Sequence, residues 1–176
     1  MEMQATNKMI KSIVLTLLVL SVYSCGWRLR ENAGLHPEIK KVNLIQLVED
    51  YQLNKQLKKL LSANGAEVME TKAGADISLT VTDYKQEIIS AAVDSQGRTV
   101  AREVILTIKY NLHGSQGEIL LDQDIVRSSS LYRFDPDNVL GTERSQVKII
   151  NSLRSNVVKS LIMKIKHSLD RAREKG

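Results

Sequence analysis

Cys25 is the only cysteine in the chain, and it closes an apolar run, "LLVLSVYSCGWRLR" from Leu17 to Arg30. A lone thiol can form neither an internal disulfide nor a cysteine zinc site, so its chemistry has to come from its position. The other residues able to do chemistry are scattered. His36, His113 and His167 fall in a tether, a turn and a helix end, without paired ligand spacing. Ser128 to Ser130 lack the flanking glycines of a nucleophile elbow and read as the end of a strand. Asp122 and Asp124 lie two apart, a spacing that puts both carboxylates on one strand face where a metal could be held, and a solvated face is the simpler reading. No catalytic residue, metal or non-covalent cofactor is expected, and the chain reads as a non-enzyme.

Lys8 and Lys11 precede the apolar core Ile13 to Leu20, and Ser21 to Ser24 follow it, ending in a small residue just before the cysteine. That is the layout of a secretory signal. The run falls short of the ~20 apolar residues a bilayer-crossing helix needs. Val22-Tyr23-Ser24-Cys25 resembles the bacterial lipobox, in which a peptidase cuts before a cysteine whose sulfur has received a diacylglycerol; Tyr23 is bulkier than the usual residue there. The alternative is a conventional secreted protein with a free thiol. On the lipobox reading residues 1–24 are removed and Cys25 carries N-acyl and S-diacylglycerol groups. Three acyl chains at ~0.8 kcal/mol per buried methylene anchor the protein in effect irreversibly. Lipoprotein sorting, as the resemblance implies, retains Asp after the cysteine in the inner membrane. Gly26 therefore points to the periplasmic face of the outer membrane.

Of the 176 residues, 152 remain after the first 24, enough for one domain with a sizeable core. The chain has 25 Lys+Arg and 20 Asp+Glu; without Lys8, Lys11 and Glu2 the balance is 23 against 19, net +4. Export argues against a nucleic-acid partner, and so does the single Trp, single Phe and five Tyr, too few for a base-stacking platform. Most charges should solvate the surface. The nearest anionic partner for a basic exported protein is lipopolysaccharide, through its lipid A and inner-core phosphates.

The elements that must position these residues follow from periodicity. Residues 25–40 read as a lipidated N-terminus and tether, and 41–176 as a single domain. "KVNLIQL" from Lys41 suits a buried strand. Leu53, Leu57, Leu60 and Leu61 then recur at helical spacing, with Asp50 as N-cap and Gly65 just past the C-terminus. Ile77, Leu79 and Val81 alternate and the extended run continues towards Val93. "DSQGRT" marks a turn, after which Val100, Val104, Leu106, Ile108, Tyr110 and Leu112 share one strand face, interrupted by Arg102 near its outer end. A second turn, "HGSQG", leads to Ile119, Leu121, Gln123 and Ile125. The last element is a long helix over about 142–171, whose stripe Val147, Ile150, Leu153, Val157, Leu161, Ile165 and Leu169 fits core packing better than membrane binding. The expected fold is an α/β two-layer sandwich in the order β-α-β-β-β-α, a four-stranded mostly antiparallel sheet with both helices on one face.

Cys25-Gly26-Trp27-Arg28-Leu29-Arg30, followed by a strand-helix unit, a long-stranded meander, the Asp-Pro loop of "FDPDN" and a long final helix, resembles the lipopolysaccharide-assembly lipoprotein LptE (RlpB) family. The likeness covers the whole mature chain in element order. The hexapeptide is close to the Cys-Gly-Trp/Phe-His-Leu-Arg with which such proteins begin, with Arg28 where His is common.

This resemblance implies a plug inside the lumen of the outer-membrane β-barrel LptD, an aid to that barrel's folding, and assistance in delivering lipopolysaccharide to the outer leaflet. Members have been linked to lipopolysaccharide through basic residues at the hairpin tip and in the loop before the last helix. Here Ser95 and Thr142 stand at those places, with Arg98, Arg102 and Arg144 nearby. Arg98 and Arg102 are the candidate phosphate contacts, and solvation of an exposed hairpin is the competing reading. The alternative function is a lipid-anchored adaptor, or a lipid-binding lipoprotein, of another envelope machine, since fold alone does not fix function.

Overall fold

The computed structural model describes Leu35 and residues 39–174. The signal segment, Cys25, Gly26, Trp27 and nearly all of the tether lie outside the described residues. Strand β1 (Lys41–Gln46) leads to helix α1 (Tyr51–Ala63), followed by β2 (Glu67–Met69), β3 (Ile77–Val93), β4 (Thr99–Gly114), β5 (Ile119–Arg133) and helix α2 (Val139–Glu174).

Helix α1 forms as its leucine spacing predicts. The Asp50 carboxylate accepts from the Leu53 amide at 2.7 Å, a cap worth about 1 kcal/mol. Leu53, Leu57 and Leu61 bury completely, and Gly65, at φ +79°, takes the left-handed conformation that ends the helix. Helix α2 starts one turn earlier than its stripe suggested. The Asn138 side chain accepts from the Gly141 amide at 3.1 Å, so Asn138 rather than a residue near Thr142 is the cap.

The sheet has five strands in the order β2-β1-β3-β4-β5. β1 runs parallel to both β2 and β3, and the β3-β4-β5 meander is antiparallel. This corrects the expected four-stranded, mostly antiparallel sheet to a five-stranded mixed one. β2 is three residues long, too short to show alternation, and it exists because β1 offers an edge. Glu67 N donates to Lys40 O at 2.6 Å and the Asn43 amide reaches Met69 O at 3.3 Å.

Both helices cover the same sheet face and touch each other. Leu153, Val157, Leu161 and Ile165 of α2 join the α1 leucines over Ile77, Leu79 and Val81 of β3 and Val104 to Leu112 of β4 in one core. Two bulges reset which residues face it. Val81 pairs Tyr110 and Asp83 pairs Lys109, so one extra β3 residue switches the inward set to Tyr84 and Ile88. In β5, Leu121 pairs Leu112 and Asp124 pairs Tyr110, with Gln123 at φ +46° between them. The simple alternation expected from Ile119 to Ile125 is therefore broken: Ile125 is 46% exposed and Val126 faces the core.

Candidate functional site

The outer ends of β3 and β4 reach the hairpin that the "DSQGRT" turn predicts. Asp94 organises it: its carboxylate accepts from the amides of Gln96 and Arg98, each at 2.9 Å, and from Arg98 Nε at 2.9 Å. Gly97 at φ +77° lets the chain reverse. The Arg98 amide chiefly holds the Asp94 carboxyl below the usual carboxylate range; desolvation opposes it, and the Arg98 guanidinium and the Gln96 amide add to the lowering. Arg98 is thus tied to the turn that carries it. Ser95 stands beside it at the exposed tip.

Arg102 occupies a different place. It pairs with Ser90 on β3 and Tyr132 on β5, the outermost row on the helix-covered side of the sheet. Its guanidinium carbon lies 3.6 Å from the centroid of the Phe134 ring. Such stacking is worth ~0.5–1 kcal/mol at an exposed site, and it fixes the direction of the charge. Phe134 is itself held by its amide, which donates to Val100 O at 2.9 Å.

The chain then turns through Asp135 to Asn138 and hooks onto α2. The Thr142 hydroxyl donates to Asn138 O at 3.0 Å and accepts from the Asp135 amide at 3.3 Å. Thr142 is consequently buried and shapes the loop, where a basic residue would instead reach outward. Arg144 is exposed on the first turns of α2.

Between the sheet row and the start of α2 lies a cleft of about 550 Å³. Arg102, Phe134 and Ile88 form its sheet side, and Glu143 and Gln146 its helix side. Gln146 is set by a 2.7 Å hydrogen bond from the Tyr132 hydroxyl. The cleft can take a ligand with apolar and anionic parts, and the position of Glu143 opposes any anion that does not sit close to Arg102. Sequence reasoning singled out Arg102 and missed Phe134, Glu143 and Gln146. The signal available was the chain's single phenylalanine, directly before Asp135-Pro136.

A second polar cluster pins α2 to β5. The Tyr110 hydroxyl donates to Asp124 Oδ2 at 2.7 Å, and Lys164 Nζ lies 2.9 and 3.1 Å from the two Asp124 oxygens and 2.8 Å from Ile125 O. Burial pushes the Tyr110 phenol well above its ordinary range, and the hydrogen bond to Asp124 adds to the shift. Burial also pushes the Asp124 carboxyl up, but the hydrogen bonds from Lys164 and Tyr110 outweigh it and leave that group lowered. A phenol held protonated on a paired carboxylate ties elements together and is no nucleophile. Among the described residues no group of three His, Cys, Asp or Glu could hold a metal ion, and Asp124 is paired with Lys164 rather than with Asp122.

A family model described as "LptE: Lipopolysaccharide-assembly" matches residues 40–165. Among solved structures, an uncharacterized lipoprotein B from Nitrosomonas europaea superimposes with a TM-score of 0.71 at 12% identity, covering 85% of this chain and 96% of that one. The rare lipoprotein B from Shewanella oneidensis gives 0.66 at 15% identity, covering 77% and 99%. A minor lipoprotein from Acinetobacter baumannii gives 0.60 at 18% identity, covering 76% and 93%. At these identities the likeness concerns the fold alone. No curated protein sequence matches the chain significantly.

Proposed function

The chain belongs to the LptE family of lipopolysaccharide-assembly proteins, and from that premise we propose that it is the plug and folding partner of the outer-membrane β-barrel LptD. Membership makes it an envelope lipoprotein of the lipopolysaccharide transport machinery, with a role in assembly rather than catalysis. The proposal adds the barrel partner, the outer-membrane address, and the lipid on Cys25 with Gly26 as the sorting residue. Residues 1–24 are the signal, 25–40 the lipidated tether and 41–176 the domain.

The observation that carries this reading is the extent of the family match, which takes in all five strands, helix α1 and the larger part of α2. The packing supports it, because a plug must hold its shape in a lumen, and the two layers here meet in a filled apolar core. Among the described residues no helix is long and apolar enough to cross a membrane. Arg102 is the better placed of the two candidate lipopolysaccharide contacts. Its guanidinium is pre-oriented on Phe134, whereas Arg98 Nε already serves Asp94.

The test is purification of the full-length protein from its own outer membrane in mild detergent, with identification of what accompanies it. One large barrel protein at equal stoichiometry is the expected result. Recovery alone, or with other envelope partners, overturns the plug assignment. With the purified complex, Arg102→Glu should weaken lipopolysaccharide binding on the order of tenfold, the loss of one charge-assisted contact. Arg98→Glu should leave it within about twofold, the scale of a solvent-exposed charge.

A further inference from the structure

The helical layer is charged differently from the sheet. Helix α1 contains Lys55, Lys58 and Lys59 and no acidic residue. Helix α2 has no acidic residue between Glu143 and Asp170, a stretch that includes Lys148, Arg154, Lys159 and Lys164. Several of these cations have partners. Lys58 lies 3.9 Å from Glu70, Lys164 is held by Asp124, and Arg154 Nη1 donates to Asn151 at 3.0 Å. Lys55 and Lys59 have no carboxylate partner among the described residues. Asp50, the acid nearest α1 in sequence, is engaged with the Leu53 amide.

Lys55 and Lys59 are four residues apart, so their side chains rise from successive turns of one face, roughly 5–6 Å apart at Cβ. Gln52 and Gln56 repeat the same spacing on the neighbouring row. These four residues, with Leu60 and Ser155 of α2, line a groove of about 310 Å³ between the helices. The Gln56 Oε1 atom is shielded from solvent and has no hydrogen-bond partner. The groove therefore presents two ammonium groups, two amides and a hydroxyl, and its lining contains no carboxylate. Lys159, one turn beyond Ser155 on α2, is a further exposed cation of the helical layer.

We propose that this α1/α2 groove is a binding site for a phosphate ester. Two point-like ammonium charges one turn apart suit a compact dianion that accepts from several directions, while a lone carboxylate is better served by the planar fork of an arginine, which the groove lacks. Its volume fits one phosphorylated headgroup and not a polymer. The inference stands apart from the plug assignment, because it concerns the helical surface and requires no barrel. It is distinct also from the Arg102 cleft, which lies at the outer end of the hairpin and includes Glu143.

The experiment is lysine footprinting of the full chain in neutral maltoside micelles. An acetylating reagent is applied with inorganic pyrophosphate, with micelles doped with phosphatidic acid, or with neither, and each lysine is quantified by mass spectrometry. Protection of Lys55 and Lys59 by about fivefold, weakening as salt is raised, is the expected result, with Lys85 unchanged as the reference. Protection by the doped micelles alone assigns the phosphate to a lipid, and protection by pyrophosphate alone assigns it to a soluble ester; either supports the site. Lys55→Gln with Lys59→Gln, both exposed positions, should abolish retention of whichever probe gives protection while the far-ultraviolet spectrum stays unchanged. Equal protection of all lysines, no protection, or retention that survives the double substitution overturns the proposal.

Discussion

The same two strands, β3 and β4, behave as different materials along their length. Towards the β1 end the inward side chains are aliphatic or tyrosine and excluded from water: Leu79 faces Leu112 and Val81 faces Tyr110, with Ile77 and Ile108 in the same packed layer beneath the two helices. Past Val104 the inward row becomes Ser90, Arg102 and Tyr132, and apolar packing gives way to a cleft. The packed half needs only volume and apolarity, and it tolerates no gap. The outer half is held by directed contacts: a cation on a ring, a hydroxyl on an amide, a threonine on a loop carbonyl. Close packing therefore holds one end and directed polar contacts hold the other, where the proposed lipopolysaccharide contact lies.

The largest expected effect comes from breaking the packed half. Leu161→Ala removes a fully buried side chain from the centre of α2 and should cost about 2–5 kcal/mol in a denaturant titration. A loss below 1 kcal/mol would mean that the two halves do not differ in this way. Arg102→Ala tests the outer half. Its stacking contributes ~0.5–1 kcal/mol, so the midpoint should move little while lipopolysaccharide binding falls. The smallest effect lies in the pH dependence. The Asp124 carboxyl is lowered in the fold, so its contribution is complete above the ordinary carboxylate range and is lost as pH falls through the lowered value, below about pH 4. Asp124→Asn should flatten that acid limb by a few tenths of a kcal/mol, since Lys164 is 47% exposed. An unchanged limb would show that the clamp between α2 and β5 contributes nothing measurable.

The order of the elements other than β2, both turns and the inward face of β4 were legible because long alternating runs and turn residues are local signals. The caps show the boundary of that legibility. Asp50 was readable beside a leucine pattern, whereas Asn138 lies before residues whose helical stripe has not yet begun. β2 was invisible for the reason given by its length, since pairing with β1 and not its own pattern makes it a strand. The bulge at Gln123 could not be read, because nothing in "LLDQDIV" says that one residue will fall out of register. Arg102 was legible as a charge on an apolar face. Its orientation was not, since Phe134 is 32 positions along the chain and meets it only through β5 pairing.

That bulge also affects how the molecule meets its own copies. β5 is a sheet edge fifteen residues long, with Ile119, Ile125 and Leu131 exposed along it. An uninterrupted edge of that length is a template for edge-to-edge strand addition and aggregation. Gln123 kinks it into two shorter runs, and the Lys164 ammonium sits on the Ile125 carbonyl just past the kink. A second chain approaching the edge meets a broken ladder and a positive charge, which disfavours strand pairing between copies.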